Sequence, residues 1–351
     1  MSSSPQTKTI PDLPAEIRDE IIAYWDPIVV ANFSLCCKLH HSIVSEFTTR
    51  HYSVQRAYGK YFTFAEIDKV RTQADTGLIA YGPTVLNFFT QASLRSPLDT
   101  VCQLHHCLSV GLWYMAKEYA YEPEQSQLKS FESDVVRAKE LLRQSRSDDV
   151  DEMADFQEVL SGIVQTWSFY KGCKHIRLVA SSGSPLEVVF SLPSTCLMNV
   201  FTHRAAYSLF PQMTLVDDIA LINSVDVTTT DDQVVHIANF SRLGFTFLNM
   251  PSIAMTTNPD SALSFLCARS VGDRHCHVIK FDHFGTADPK PDFIEAHSWN
   301  MSYHLNTTSF TYMPLGTNHS KFEYTIAPQL WDSTMAKLIT LGRLEQLSHL
   351  Q

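Results

Sequence analysis

Residues 81–100, YGPTVLNFFTQASLRSPLDT, decide how the chain is read. An apolar run, TGLIA (76–80), leads into Gly82, which interrupts it. PTVLNFF (83–89) then has helical spacing, and SPLDTVCQL (96–104) opens a second short apolar run. Strand, glycine turn, helix, loop and strand make a frame suited to holding a phosphate at the helix start. Such a frame ordinarily carries two carboxylates two residues apart on its second strand. Here Asp99 stands alone, and Pro97 sits where its partner would be.

Composition narrows the classes around that frame. The chain has 351 residues, 44% hydrophobic and 18% charged, enough for about two to three ordinary globular domains. Its net charge is -10, with no run of basic residues. That balance argues against nonspecific nucleic-acid binding and against anionic membrane surfaces. The first residues, MSSSPQTKTIPD, lack a signal-type apolar stretch, and no segment reaches the ~18 apolar residues of a membrane span. The expectation is a soluble intracellular protein, cytoplasmic or nuclear, in which N-x-S/T sequences such as those at Asn239, Asn300, Asn306 and Asn318 carry no weight. Eight cysteines occur without a CxxC pair, so they read as small buried hydrophobes. CQLHHC (102–107) crowds its sulfur and imidazole groups into six residues, a spacing that rarely converges on one tetrahedral ion. DRHCH (273–277) would have to supply the rest, and neither a metal nor a cofactor is expected.

The chain divides by periodicity. Residues 1–10 read as a polar tail and 11–52 as three short helices. Asp12 is the expected first N-cap, with Ile17, Ile21, Ile22 and Trp25 on one face. Residues 56–250 hold the opening frame. Within them LSVGLWYMAKEYAYEP (108–123) predicts a helix with Leu108, Leu112, Met115 and Ala116 inward, and 126–160 a charged helical insertion. GIVQTWSFY and KHIRLVAS, joined by KGC, predict a hairpin. DDIALINSV (217–225) and DDQVVHIANFSRLGF (231–245) predict helices, the second capped by Asp231 and ended by Gly244. Residues 251–351 read β-rich, with a hairpin about VGD (271–273), a β-like run NMSYHLNTTSFTYM (300–313) and a terminal helix carrying Leu330, Met335, Leu338 and Ile339. The fold class expected is α+β.

LPAEIRDEIIAYWDP (13–27) followed by SLCCK (34–38) resembles an F-box. The matching residues are Leu13, Pro14, Glu16, Ile17, Ile21, Ile22, Tyr24, Asp26, Pro27, Ser34, Leu35, Cys37 and Lys38, without a gap. Departures are Trp25 for leucine, Cys36 for valine, and LHH after the lysine. The resemblance implies docking to the small adaptor subunit of a cullin-type ubiquitin ligase, with Leu13, Pro14, Ile17, Ile21 and Leu35 as apolar anchors. The plainer reading is a helical unit whose apolar face packs on the chain's own core.

GPTVLNFF, SPLD, GLWYMAKEYAYEP, SPLEVVFSLPSTCLMNVFTHRAAYSLFP, RLGF and VGDRHCHVI resemble a group of F-box proteins common in mushroom-forming fungi. The body of that group looks like a nucleotidyltransferase. In active nucleotidyltransferases the glycine turn holds a triphosphate, and three carboxylates hold two magnesium ions. Gly82 and Thr84 match the turn and Asp99 matches one acid. The third acid should lie on HIRLVAS, which has none, or on EVVFSLPST, where Glu187 falls at the wrong end. Pro83 also removes an N–H that would face a phosphate.

The resulting expectation is an interaction protein and not an enzyme: a substrate-recruiting F-box subunit with a degenerate nucleotidyltransferase-like body that presents an unidentified target. The alternative is residual nucleotide binding or transfer at Gly82, Thr84 and Asp99. The histidines at 105, 106, 203, 275, 277 and 283 form no recognisable catalytic motif. P-loop, G-x-G-x-x-G, H-E-x-x-H and G-x-S-x-G sequences are all missing.

Overall fold

The computed structural model describes residues 9–63, 66, 75–91, 96–148, 162–223, 230–281, 292–304, 307–316 and 321–334. The chain is mixed α+β. Three helices come first: α1 (Ala15–Ala23), α2 (Pro27–Cys36) and α3 (Lys38–His51). Asp12 does not cap α1. It closes a short turn on Thr9, and α1 begins only after Pro14, whose extended ψ of 149° ends the preceding segment. Asp26 does cap α2, its carboxylate accepting the Ile28 and Val29 N–H groups at 2.9 Å, with Pro27 in the first turn. The three helices enclose only Ile22, Ile43 and Phe47 fully, with Trp25, Val30, Phe33 and Tyr52 around them. Arg50 clamps the bundle by donating twice to Asp19, at 2.8 Å each.

Helix α4 (Val54–Tyr58) leads into the body. The strands in chain order are β1 (Ile79–Tyr81), β2 (Leu98–Gln103), β3 (Ala120–Glu122), β4 (Ile163–Lys171), β5 (Lys174–Ser181), β6 (Asn199–Phe201), β7 (Ala205–Ser208), β8 (Ile219–Leu221), β9 (Thr246–Leu248), β10 (Arg269–Ser270), β11 (His277–Lys280), β12 (Ser298–His304), β13 (Thr307–Thr311), β14 (Met313–Leu315) and β15 (Tyr324–Ile326). Eight of them form one sheet in the order β11-β7-β6-β1-β2-β5-β4-β3. All of its pairings are antiparallel except β2 with β5.

The helices of the body include α5 (Pro83–Thr90), α6 (Leu104–Ala116), α7 (Phe131–Asp148), α8 (Pro185–Phe190), α9 (Thr230–Ser241) and α10 (Ile253–Thr257). Strand alternation gives the main sheet a core on each face, and a smaller cluster gathers Leu86, Cys196, Leu197, Ala220, Phe240 and Phe245. Leu98, Cys102, Ile176, Leu178 and Ala180 face α6, α7 and the α4 region. Ile79, Tyr81, Val101 and Val179 face α8 and Trp299. Because β11 belongs to the main sheet and Trp299 and Met301 fill the second core, residues after 251 are built into the body.

Several sequence expectations shift. The hairpin through KGC forms as read, Lys171 pairing with Lys174. NMSYHLNTTSFTYM contributes β12 and β13, which pair with each other. ALSFLCARS and RHCHVIKFD do not make a hairpin: β10 pairs with β12, and β11 pairs with β7. IAL (219–221) is strand β8 beside β9, a short apolar run that lengthens no helix. Met335, Leu338 and Ile339 lie outside the described residues.

The buried face of α6 is Leu104, Cys107, Val110, Gly111 and Tyr114, whereas Leu112 and Met115 are exposed. The helix starts at Leu104 and not at Leu108, and its inward stripe runs one position earlier than expected, through Cys107, Gly111 and Tyr114. Helix α7 is not a solvated insertion. Phe131, Val135 and Ala138 are buried, and the fully buried Asp134 carboxylate accepts the Trp167 Nε1–H at 2.8 Å.

Candidate functional site

The frame around Gly82 forms as the sequence predicts. β1 runs into Gly82, whose φ of 78° is open to glycine at low cost. α5 starts at Pro83, and β2 returns antiparallel, placing Asp99 directly across from Tyr81. A Cβ on Gly82 would meet only Asp99 Oδ2, at 3.6 Å. Turn and acid are therefore adjacent in space.

Thr84 does not face a ligand space. Its Oγ1 lies 2.8 Å from the Pro97 carbonyl, to which it donates, and 2.9 Å from Ser96 Oγ and 3.2 Å from Tyr61 Oη. Those contacts tie the start of α5 to the loop before β2, and Thr84 is buried. Pro97, where the missing acid would stand, supplies the carbonyl.

Of the two stretches expected to carry a third acid, HIRLVAS lies on β5, whereas EVVF (187–190) belongs to α8, where Glu187 completes a capping box with Ser184. β5 runs parallel to β2, and the residue beside Asp99 is Arg177. Arg177 Nε donates to Asp99 Oδ1 at 2.5 Å. A guanidinium thus occupies the side of Asp99 where a further carboxylate would be needed to share a metal. Asp99 is 2% exposed. Burial raises its carboxyl pKa above the ordinary value, and the Arg177 hydrogen bond works in the opposite direction. Arg177 in turn is raised above its ordinary value: burial lowers it, but the Asp99 contact more than compensates.

Sequence reasoning missed Arg177 because it searched β5 for acids. The signal was present in HIRLVAS, where arginine is the only charged residue between apolar neighbours on a central strand. It also missed two serine–histidine pairs. Ser184 Oγ lies 2.8 Å from His297 Nε2, and Ser194 Oγ lies 2.8 Å from His236 Nε2. Both serines and His297 are fully buried, so these contacts lock loops together. Cys102 and Cys107 place their thiols 3.5 Å apart in the first core. Among the described residues no three His, Cys, Asp or Glu side chains gather as a metal site. No described helix is long and apolar enough to cross a membrane.

The other candidate surface is the helical unit. Ile17 is 44% exposed and Leu35 82% exposed. Pro14 is also exposed, while Leu13 and Ile21 are half-buried. Tyr24, Ile28, Val29 and Leu39 add further exposed hydrophobic surface on the same three helices. The hydrophobic residues turned to the bundle interior are a different set, Ile22, Ile43 and Phe47. Exposed hydrophobic side chains are thus concentrated on this small unit, apart from its own core. No family model, curated protein or solved structure matches the chain.

Proposed function

We propose that the chain is an interaction protein, an F-box-type substrate-recruiting subunit of a cullin-type ubiquitin ligase with a catalytically degenerate nucleotidyltransferase-like body. One observation carries the reading: Ile17 and Leu35, which the motif marks as anchors, are exposed on a bundle whose own core is three residues. Helices packing only for the chain's benefit would turn those residues inward. Anchors of this kind contribute most when a partner fully covers them. The pairing of Asp99 with Arg177 supports a body without transferase chemistry, because the carboxylate is already matched to a cation.

Co-expression with the ligase adaptor followed by size-exclusion chromatography tests the proposal. A stable one-to-one complex is expected with the natural chain and is lost in Leu13→Asp combined with Pro14→Ala, while the melting temperature of the body stays unchanged. Survival of the complex in that variant, or a folded natural chain that forms none, refutes the reading.

A further inference from the structure

Strand β11 ends the eight-stranded sheet, and among the described residues its one strand neighbour is β7. Its register decides which backbone groups are free. Phe281 donates its N–H to the Arg204 carbonyl at 2.8 Å. In the same ladder Ile279 pairs with Ala206 and His277 with Ser208. Antiparallel pairs alternate between hydrogen-bonded and non-bonded positions. Phe281, Ile279 and His277 therefore turn their amides toward β7, and Val278 and Lys280 turn theirs outward. An edge with outward N–H and C=O groups is a template for another strand.

That edge borders a cleft of about 1330 Å³ between the helical unit and the body. All four residues of β11 line it. Trp25, Val30 and Phe47 form its opposite wall, and Phe89 and Leu215 contribute from the body. The volume exceeds the roughly 300–1,000 Å³ of small-molecule sites. None of Leu13, Pro14, Ile17, Ile21 or Leu35 lines it. The five residues that the motif marks are thus separate from the cleft lining, while Tyr24 borders both surfaces.

We propose that this cleft binds an extended segment of a partner protein, which pairs with the outer edge of β11 as a ninth strand. The outward N–H and C=O groups of Val278 and Lys280 supply the backbone pairing, and successive side chains of the segment point alternately to the two walls. The segment it fits is one with apolar side chains at alternate positions, to lie against the partly exposed Trp25 and Val30. This deepens the recruitment reading by naming the place and class of target; it rests on the chain being an interaction protein, though not on which adaptor it meets.

The probe is a displayed library of random linear peptides, selected on the full chain and re-tested on Val278→Pro. Proline there deletes an outward N–H and leaves the β7 ladder intact, a position where edge strands tolerate it. Selected peptides are expected to lose affinity for Val278→Pro by about tenfold or more, from the lost hydrogen bond and the ring's bulk. They should bind Val278→Ala normally. Bound peptide should also slow amide exchange at Val278 and Lys280 in the natural chain, a readout that holds even if the proline variant misfolds. No enriched peptide, equal binding to Val278→Pro, or unchanged exchange at both amides overturns the proposal. Adaptor co-elution measured on Val278→Pro separates the two readings, since loss of the edge leaves Ile17 and Leu35 untouched.

Discussion

Arg177 stands beside Asp99 across the parallel β2–β5 ladder, its Nε 2.5 Å from the carboxylate. The pair explains how the strand–turn–helix–strand frame persists with one acid: the buried charge is compensated by the neighbouring strand. Removing the cation should therefore be costly. Arg177→Ala is expected to lower stability by about 1–3 kcal/mol, less than for a fully buried pair because the arginine side chain is 45% exposed. The deficit has a defined pH dependence. Burial already raises the Asp99 pKa, and loss of the guanidinium raises it further. A raised acid binds its proton more tightly when folded, so stability is recovered as pH falls through the folded value toward ~3.9. Urea titrations of Arg177→Ala at neutral and mildly acidic pH should show the deficit shrinking, and Asp99→Asn in the same background should abolish that trend.

Magnesium–ATP should leave the melting temperature unchanged at millimolar concentration. Asp99 is engaged by Arg177, Thr84 by Pro97 and Ser96, and Pro83 presents no N–H. A thermal shift that disappears in Asp99→Asn would instead restore nucleotide binding at this turn.

The helical unit offers a contrast between two kinds of apolar residue. Leu35 is 82% exposed, and its replacement by alanine should change stability by no more than about 0.5 kcal/mol. The same substitution should weaken adaptor binding by more than ~1 kcal/mol. Phe47, fully enclosed by α1 and α3, should behave in the opposite way, Phe47→Ala costing about 3–5 kcal/mol of stability. Thermal melts and binding isotherms on both variants check the pattern. Equal behaviour of the two would mean that Leu35 is not an anchor.

Local signals carried well where they were short and strong. Gly82 broke the chain at the expected turn, and the expected hairpin through KGC formed. The sequence could not show partners chosen at long range. HCHVIK sits beside β7, some seventy residues earlier, because a sheet edge was available there, so the local VGD turn lost the competition. Helix α7 looked solvated because its charged face dominates the composition. Yet Asp134 is among its most buried residues, held by Trp167, Gln165 and the Leu128 N–H. Arg177 became meaningful only once β5 lay parallel to β2. The candidate site was thus half legible: the turn and one acid from the sequence, the cation from the pairing.

Gly111 tests how tightly α7 is seated. A Cβ at this position would approach the Phe131 ring to 2.1 Å. Alanine is the better helix former by about 1 kcal/mol. Overpacking against a fully buried ring costs about 1–3 kcal/mol, so the clash prevails. Gly111→Ala is expected to lower the melting temperature and to loosen α7, seen as faster amide exchange across 131–145. Unchanged stability would show that α7 can shift as a unit.

His297 gives the body an acid-sensitive joint. Its Nδ1–H donates to the Ile294 carbonyl at 3.0 Å, so its Nε2 accepts the Ser184 hydroxyl at 2.8 Å. Protonating Nε2 would remove that acceptor in a site with no exposure to water. Burial accordingly lowers the His297 pKa to about 4, against an unfolded value near 6.5. The folded state then binds this proton less readily than the unfolded state. The stabilisation is complete above about pH 6.5 and is lost as pH falls toward 4, at up to about 1.4 kcal/mol per pH unit. His106 and His236, also lowered to about 4 by burial, act in the same direction. The individual effect must therefore be read as a difference. His297→Gln should be less stable than the natural chain at neutral pH and should lose stability less steeply between pH 6.5 and 4.5. Parallel slopes in the two proteins would show that His297 takes up its proton without disturbing the joint between α8 and the segment before β12.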